Sequence, residues 1–241
     1  MTGDTPLKLR FWRRHGRLLP SKRAFIDRAF TTLPIRTFAD LGGVWGVDGG
    51  YTFDTLERYP TTTATLVDTH FTKTVEQRAE REPRVRLFRG SFGDQATAEQ
   101  VGSVDAVFLF DVLLHQVDPD WDVILDRYAE RARYLLIYNQ QWIGPGSRRR
   151  LLEMGEDEYF RNVPHTRDEP PYDGLFAKLD LIHPDHGKPW RDVHHIWQWG
   201  ITDADLEEKA RSLGFTLLEK QNHGRFGRLV NFENHSFLFG R

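Results

Sequence analysis

The sequence predicts an α/β protein, a three-layer sandwich with a mostly parallel sheet and helices on both faces, and three observations predict it. From Ile35 onward, short apolar runs alternate with longer amphipathic ones. Several of the short runs are almost continuously apolar, as expected of strands covered on both faces of a parallel sheet. The chain then closes with two strand-like runs after a last helix, a hairpin-like pair. At 241 residues, 39% apolar and 28% charged, the chain suits one large domain carrying an elaborated insertion.

In chain order, the opening "MTGDTPLKLRFWRRHGRLLP" is basic and aromatic and lacks an apolar core of signal-peptide length. "SKRAFIDRAF" follows as a helix, with Phe25, Ile26, Ala29 and Phe30 at helical spacing. The strands are "IRTFADL" (35–41), "TATLVD" (63–68), "VRLFR" (85–89), "VDAVFLF" (104–110) and "YLLIYN" (134–139). After Asp120, residues Trp121, Ile124, Leu125, Tyr128 and Ala132 share one helical face. "TDADLEEKARSLG" has Thr202 as N-cap, Leu206, Ala210 and Leu213 on one stripe, and Gly214 as its stop. "FTLLEK" (215–220) and "HSFLFGR" (235–241) complete the sheet.

This order divides the chain into an N-terminal extension (1–34), a ligand-binding core (35–139), a substrate-covering insertion (140–200) and a closing helix with two strands (201–241). Residues 140–200 are rich in Pro, Gly, His, Asp and Trp. Sixty residues without clear periodicity inside a domain point to a functional insertion. Thirty-three Lys and Arg against thirty-five Asp and Glu give a net charge of −2, which disfavours nucleic acid and anionic membranes as partners. No stretch approaches a membrane span. The absence of Cys rules out disulfides and thiolate metal sites and fits a cytoplasmic setting. A homo-oligomer is allowed but not required.

The chemistry begins where the first strand ends. Asp40 is followed by Gly42, Gly43, Gly46, Gly49 and Gly50. In an open parallel sheet, ligands bind beyond the carboxyl ends of the strands, and glycines there let backbone approach them. A dinucleotide fingerprint would need G-x-G-x-x-G, and here Val44 stands where its middle glycine would be. A carboxylate at Asp40 repels a pyrophosphate but suits a cationic amino group. Asp68, ending the second strand, can accept hydrogen bonds from a ribose diol. The pair fits an amino-acid nucleoside better than a dinucleotide.

Through "DLGGVWG" (40–46), "LVD" (66–68), "RGSFGD" (89–94) and "VDAVFLFDVLLHQV" (104–117), the chain resembles the class I S-adenosylmethionine-dependent methyltransferases. The closing "LGFTLLEK" and "HSFLFGR" resemble that family's last two strands. The resemblance spans about residues 35–139 and 202–241. It implies a Rossmann-like sheet of seven strands with the last antiparallel, S-adenosyl-L-methionine as cofactor, and an enzyme that transfers methyl groups. By this resemblance Asp40 would hold the methionyl amino group, directly or through water. Gly42, Gly43 and Gly46 would line the methionine part and Asp68 would bind the ribose. Ser91 and Phe92 would flank the adenine, and Asp111 with Val112 would close the pocket.

Methyl transfer needs an aligned acceptor and, for an alcohol, a base or metal to remove the proton. His115, just past the fourth strand, can change charge near neutral pH and is one candidate base; packing beneath the cofactor is its other reading. Asn139, Gln140 and Gln141 could hydrogen-bond a hydroxylated acceptor or satisfy loop backbone. His183, Asp185, His186, Asp192, His194 and His195 could supply a general base, with His194 the third catalytic candidate, or a metal site. Their spacing matches no strong metal motif, although a Mg²⁺ bound with the help of Asp111 is compatible. Trp190, Trp197 and Trp199 could wall a sugar or aromatic ring, or form a small core under the insertion. "HHIWQW" could be an edge strand. "RFWRRHGR" could close over the cofactor carboxylate or be a solvated basic face. The expected reaction is O-methylation of a small hydroxylated molecule such as a sugar, glycoside or natural product. Two other functions stay open. An NAD(P)-dependent oxidoreductase requires a third glycine in register and a parallel last strand. A non-catalytic partner subunit requires a blocked loop at Val44 and Trp45.

Overall fold

The alternating runs condense into one seven-stranded sheet. The computed structural model describes residues 17–241. Its strands are β1 (Thr37–Leu41), β2 (Thr63–Asp68), β3 (Val85–Arg89), β4 (Val104–Phe110), β5 (Ala132–Trp142), a short pair β6 (Arg149–Arg150) and β7 (Trp199–Gly200), β8 (Thr216–Arg225) and β9 (Phe232–Gly240). The main sheet has the order β3-β2-β1-β4-β5-β9-β8. Strands β1 to β5 pair in parallel, whereas β9 lies antiparallel between β5 and β8. The seven strands and the reversed last one are as the sequence and its resemblance imply.

The helices among the described residues are α1 (Pro20–Thr32), α2 (Gly50–Arg58), α3 (Lys73–Arg81), α4 (Gln95–Val101), α5 (Trp121–Ala129), α6 (Glu156–Asn162), α7 (Leu175–Lys178) and α8 (Asp203–Ser212). Pro20 begins α1, where a missing N–H costs nothing. Thr202 caps α8 by accepting the Asp205 N–H at 3.1 Å. Ala132 belongs to β5 rather than to the α5 face where the spacing puts it.

Strand alternation assigns the core. On one face Val107, Leu109, Leu135, Ile137 and Phe237 pack under α4, α5 and α8. On the other, Phe38, Phe108, Leu136 and Leu238 meet Phe25, Ile26 and Ala29 of α1 and Leu56 of α2. Phe38 and Phe108 stack at 4.5 Å across β1 and β4.

Residues 140–200 hold more order than their sequence suggests. Helices α6 and α7, of seven and four residues, are too short to display a stripe. They enclose a separate core of Leu114, Trp142, Tyr159, Tyr172, Ile196 and Trp197. "HHIWQW" is not an edge strand; only Trp199 and Gly200 pair, with Arg149 and Arg150. The "RFWRRHGR" lead, residues 10–17, lies outside the described residues except for Arg17. No helix among the described residues is long and apolar enough to cross a membrane.

Thr202→Ala is expected to cost about 1 kcal/mol through loss of one cap bond. Leu206→Ala, which empties a fully buried site, is expected to cost about 2–5 kcal/mol. Urea unfolding measures both, and equal losses would contradict this division between cap and core.

Candidate functional site

The order β3-β2-β1-β4-β5 reverses direction between β1 and β4, which makes their carboxyl ends the expected ligand crevice. Asp40 ends β1 on that crevice but is 1% exposed. Its Oδ2 accepts a 2.6 Å hydrogen bond from Thr52 Oγ1 of α2. Burial raises the Asp40 pKa to about 6; Thr52 and the charge of Lys22 pull it down, and the charge of Asp68 pushes it up. The carboxylate lies against Gly43, where a Cβ would sit 2.4 Å from Oδ2. Glycine at 43 is therefore demanded by the protein's own acid.

Val44, the departure from the glycine pattern, is buried with Phe53, Leu66, Phe71 and Val75. That burial turns its N–H onto Asp68 Oδ2 at 3.2 Å. Asp68 also accepts the His70 N–H at 3.4 Å. Half-buried at the end of β2, it has a raised pKa because burial outweighs the backbone bonds from Val44, His70 and Thr69. Gly46, at φ +76°, has nothing within 4 Å of where a Cβ would lie, so this stretch of loop stands open. Trp45 is 88% exposed and does not fill it.

Across the crevice, Gly42 comes close to Val112 and Phe92, with a would-be Cβ 2.9 and 3.1 Å from their side chains. The glycine thus lets the β1 loop pack on the β4 exit and the β3 exit together. Phe92 is half-buried, and Ser91 Oγ accepts the Gly93 N–H at 3.2 Å. Asp111 sits past β4 with φ +58°, a left-handed conformation that costs an ordinary L-residue about 1–2 kcal/mol and Asp less. Its carboxylate pairs with Lys22 and accepts Gln140 Nε2 at 2.8 Å. The sequence reading missed Lys22, although it falls on the apolar stripe of α1 with Phe25, Ile26 and Ala29. A lysine within such a stripe is the signal that could have found it.

The acceptor candidates are placed differently from one another. His115 lies in a 3-10 turn, Leu113–His115, with Nδ1 2.9 Å from the Ile196 carbonyl and its ring edge-on to Trp197. A carbonyl partner requires Nδ1 to carry the proton, leaving Nε2 with the free lone pair. Burial lowers its pKa, although the Ile196 bond and the charge of Asp111 act in the other direction. Asn139 is fully buried; Nδ2 donates to the Gln140 carbonyl at 3.1 Å and Oδ1 has no protein partner. Gln141 is likewise fully buried, with neither amide atom partnered.

His194 belongs to a cluster of imidazoles. Its ring lies 5.9 Å from His186 and 4.9 Å from His195, and His186 lies 4.6 Å from both His183 and His195. The His194 pKa is lowered to about 4, first by burial and then by the charges of His195, His186, Lys188 and His115. His194 and His195 are both exposed to solvent, which weakens the shift without changing its sign. Among the described residues, no three His, Asp or Glu side chains converge as a metal's ligands. Trp197 is buried in the insertion's core and Trp190 packs, partly buried, against the same cluster. Trp199 packs on the main core and donates Nε1 to the Gln116 carbonyl at 2.8 Å.

Because His186, His194 and His195 all have lowered pKa values, these three sites bind more protons in the unfolded chain than in the folded one as pH falls below about 6.5, whereas Asp40 and Asp68, raised by burial, act oppositely. The three histidines' contribution to stability is complete above that value and is lost on acidification toward pH 4. His235, raised by Asp203 and Glu233 against its burial, acts oppositely, contributing below about 6.5 and fading above it. Thermal unfolding at pH 7 and pH 5 is expected to show a change in stability on acidification that is more favourable in His194→Asn than in the unaltered protein, the opposing Asp40 being common to both. An unchanged pH slope in that variant would remove His194 from the effect.

No family model matches the sequence, and no curated protein matches it. Solved structures do. An O-methyltransferase family protein from Burkholderia thailandensis matches with a TM-score of 0.52 at 19% identity, over 92% of this chain and 56% of that one. This chain thus spans little more than half of that protein's length. The 1,6-didemethyltoxoflavin-N1-methyltransferase of the same organism, solved with S-adenosylhomocysteine, matches with a TM-score of 0.57 at 15% identity, over 97% and 82% of the two chains. Magnesium protoporphyrin IX methyltransferase from Synechocystis PCC 6803, also solved with S-adenosylhomocysteine, matches with a TM-score of 0.57 at 15% identity, over 100% and 90%. With the reversed β9 and the loop between β1 and α2, these likenesses show that the chain has the fold of the class I S-adenosylmethionine-dependent methyltransferases.

Proposed function

We propose that the protein is an S-adenosylmethionine-dependent methyltransferase acting on a hydroxyl of a small molecule such as a sugar, glycoside or natural product. The observation that carries this reading is the set of three carboxylates, Asp40, Asp68 and Asp111, around an open glycine loop at the β1–β4 switch point. That donor set suits a ligand with a cationic amino group and a ribose diol. When bound, S-adenosylmethionine supplies an electrophilic methyl group on a sulfonium. Asp40 would hold the amino group, Asp68 the diol, and Gly42, Gly43 and Gly46 the methionine part. Ser91, Phe92 and Val112 would border the rest.

His115 is the favoured base, with His194 and Asn139 as further acceptor-side groups. The neutral His115 imidazole has its Nδ1 committed to Ile196, so Nε2 is the atom that can take an acceptor proton. A base of lowered pKa removes an acidic hydroxyl's proton more readily than an aliphatic one, which supports a phenolic or enolic acceptor within the proposed class. The same geometry serves a nitrogen acceptor, and assay of both kinds separates them. Two observations weigh against the alternatives. Antiparallel β9 is not the parallel last strand that a nicotinamide enzyme requires. Val44 turns into the core and Trp45 outward, so neither blocks the loop as a non-catalytic subunit would require.

Calorimetry with S-adenosylhomocysteine is the first test, and no heat at millimolar ligand would end the proposal. Asp68→Ala is expected to weaken binding by about 1–3 kcal/mol through lost hydrogen bonds to the diol; unchanged affinity would refute its role. If Asp40 must be ionised to hold the amino group, affinity falls below pH 6, approaching ten-fold per pH unit. Asp40→Asn is expected to bind weakly and without that pH dependence. His115→Ala is expected to keep ligand affinity while lowering S-adenosylhomocysteine formation on an accepted phenol or sugar about 10²-fold or more. Equal turnover would return His115 to a packing role.

A further inference from the structure

Lys22 is 3% exposed, a burial that lysine rarely tolerates unless paired. Its Nζ pairs with Asp111 at the end of β4. It also lies over three rings, 4.9 Å from the centre of Tyr138, 5.3 Å from Tyr51 and 5.7 Å from Phe110. Its charge reaches Asp40 at the end of β1, whose pKa it lowers. The ammonium therefore pairs with one of the acids at the switch point and acts on a second through its charge. Helix α1 is fixed there by Leu19 N–H donating to Tyr51 Oη at 2.9 Å and by a 3.1 Å hydrogen bond between Ser21 and Tyr138.

We propose that Lys22 is a positioning residue that sets the charge of the donor pocket, and with it the relative affinity for a sulfonium donor and its neutral thioether product. This inference rests on the proposed methyltransferase function. The donor carries one positive charge more than the product, at sulfur. Asp40, Asp68 and Asp111 together favour that charge, and the Lys22 ammonium cancels one of the three. Without it, the pocket would hold the charged ground state more tightly than a transition state in which charge is leaving the sulfur, and transfer would slow. Lys22 thus trades donor affinity for turnover. Asp111, held in its left-handed conformation by Lys22 and Gln140, is the group through which it acts.

The test is a charge cycle read by calorimetry with S-adenosylmethionine and S-adenosylhomocysteine on the intact chain. Lys22→Met keeps an apolar stem among the three rings and removes the charge. It is expected to shift the ratio of the two dissociation constants roughly ten-fold toward the sulfonium, the order of effect of one unit charge in a partly screened site. Asp111→Asn is expected to shift the ratio the other way, Lys22→Met with Asp111→Asn to restore it, and Lys22→Arg to leave it unchanged. Weakening of both ligands by one common factor in Lys22→Met and Asp111→Asn would mean a purely structural role and overturn the inference. Should Lys22→Met fail to fold, Asp111→Asn, whose side chain is 38% exposed, still decides the matter by the sign of its shift. Wild-type protein that binds neither ligand overturns the proposed function and this inference with it. Wild-type protein that binds both, with a ratio indifferent to Asp111→Asn, overturns this inference alone.

Discussion

The site depends on one arrangement, an aspartate carboxylate held out of water at the end of β1 beneath a glycine loop. Burial works against the ionised form of Asp40, and the Thr52 hydroxyl partly offsets it. A side chain at position 43 would collide with the acid, so the loop can cross it only as glycine. Once the loop takes that path, Val44 drops into the pocket of Phe53, Leu66, Phe71 and Val75. Its N–H then meets Asp68. The first acid thereby fixes the position of the second, through backbone and packing rather than direct contact.

The proposed acceptor side is built by the insertion. The insertion carries an apolar core of its own, centred on Trp142, Tyr159, Tyr172 and Trp197. That core takes in Trp142 of β5 and Phe232 of β9, so it packs on the sheet directly. Directed bonds add to it: Ile196 to the His115 ring, Gln198 N–H to the Leu114 carbonyl at 3.2 Å, and Trp199 to Gln116. A cover with its own core can change its surface while the donor crevice stays intact, which is how one fold serves many acceptors. The recesses of about 360 and 260 Å³ around Thr37 and Val104 lie at the opposite, amino edge of the sheet, away from Asp40, Asp68 and Asp111.

The strands were legible because a sheet buried on both faces writes itself as apolar runs, and the cap of α8 because Thr202 bonds locally. Legibility failed where the partner is distant in sequence. Strand β5 continues past Asn139, where the sequence ends it, through Gln140, Gln141 and Trp142, because β9 supplies their pairing from Asn234, Glu233 and Phe232. "HHIWQW" alternates as a strand does. Its backbone is committed elsewhere, and Gln198 Nε2 donates to the Arg191 and Val193 carbonyls at 3.0 and 2.7 Å. Lys22 could be noticed on its stripe, but its burial makes sense only beside Asp111, eighty-nine positions away. The left-handed backbone of Asp111 leaves no trace in composition at all.

Asp111 joins the two sides electrostatically. Toward the donor it is paired with Lys22; toward the acceptor its negative charge raises the proton affinity of His115 against the burial that lowers it. In the proposed transfer a positive charge leaves the sulfur while a proton reaches the imidazole. Asp111 stabilises the second event as it ceases to be needed for the first. Lys22, paired with that same carboxylate, moderates its hold on a cationic donor. A pocket that needs its base neutral at the start and charged at the end is best served by a carboxylate whose field is partly, not wholly, cancelled. The buried lysine beside a half-exposed aspartate provides that partial cancellation.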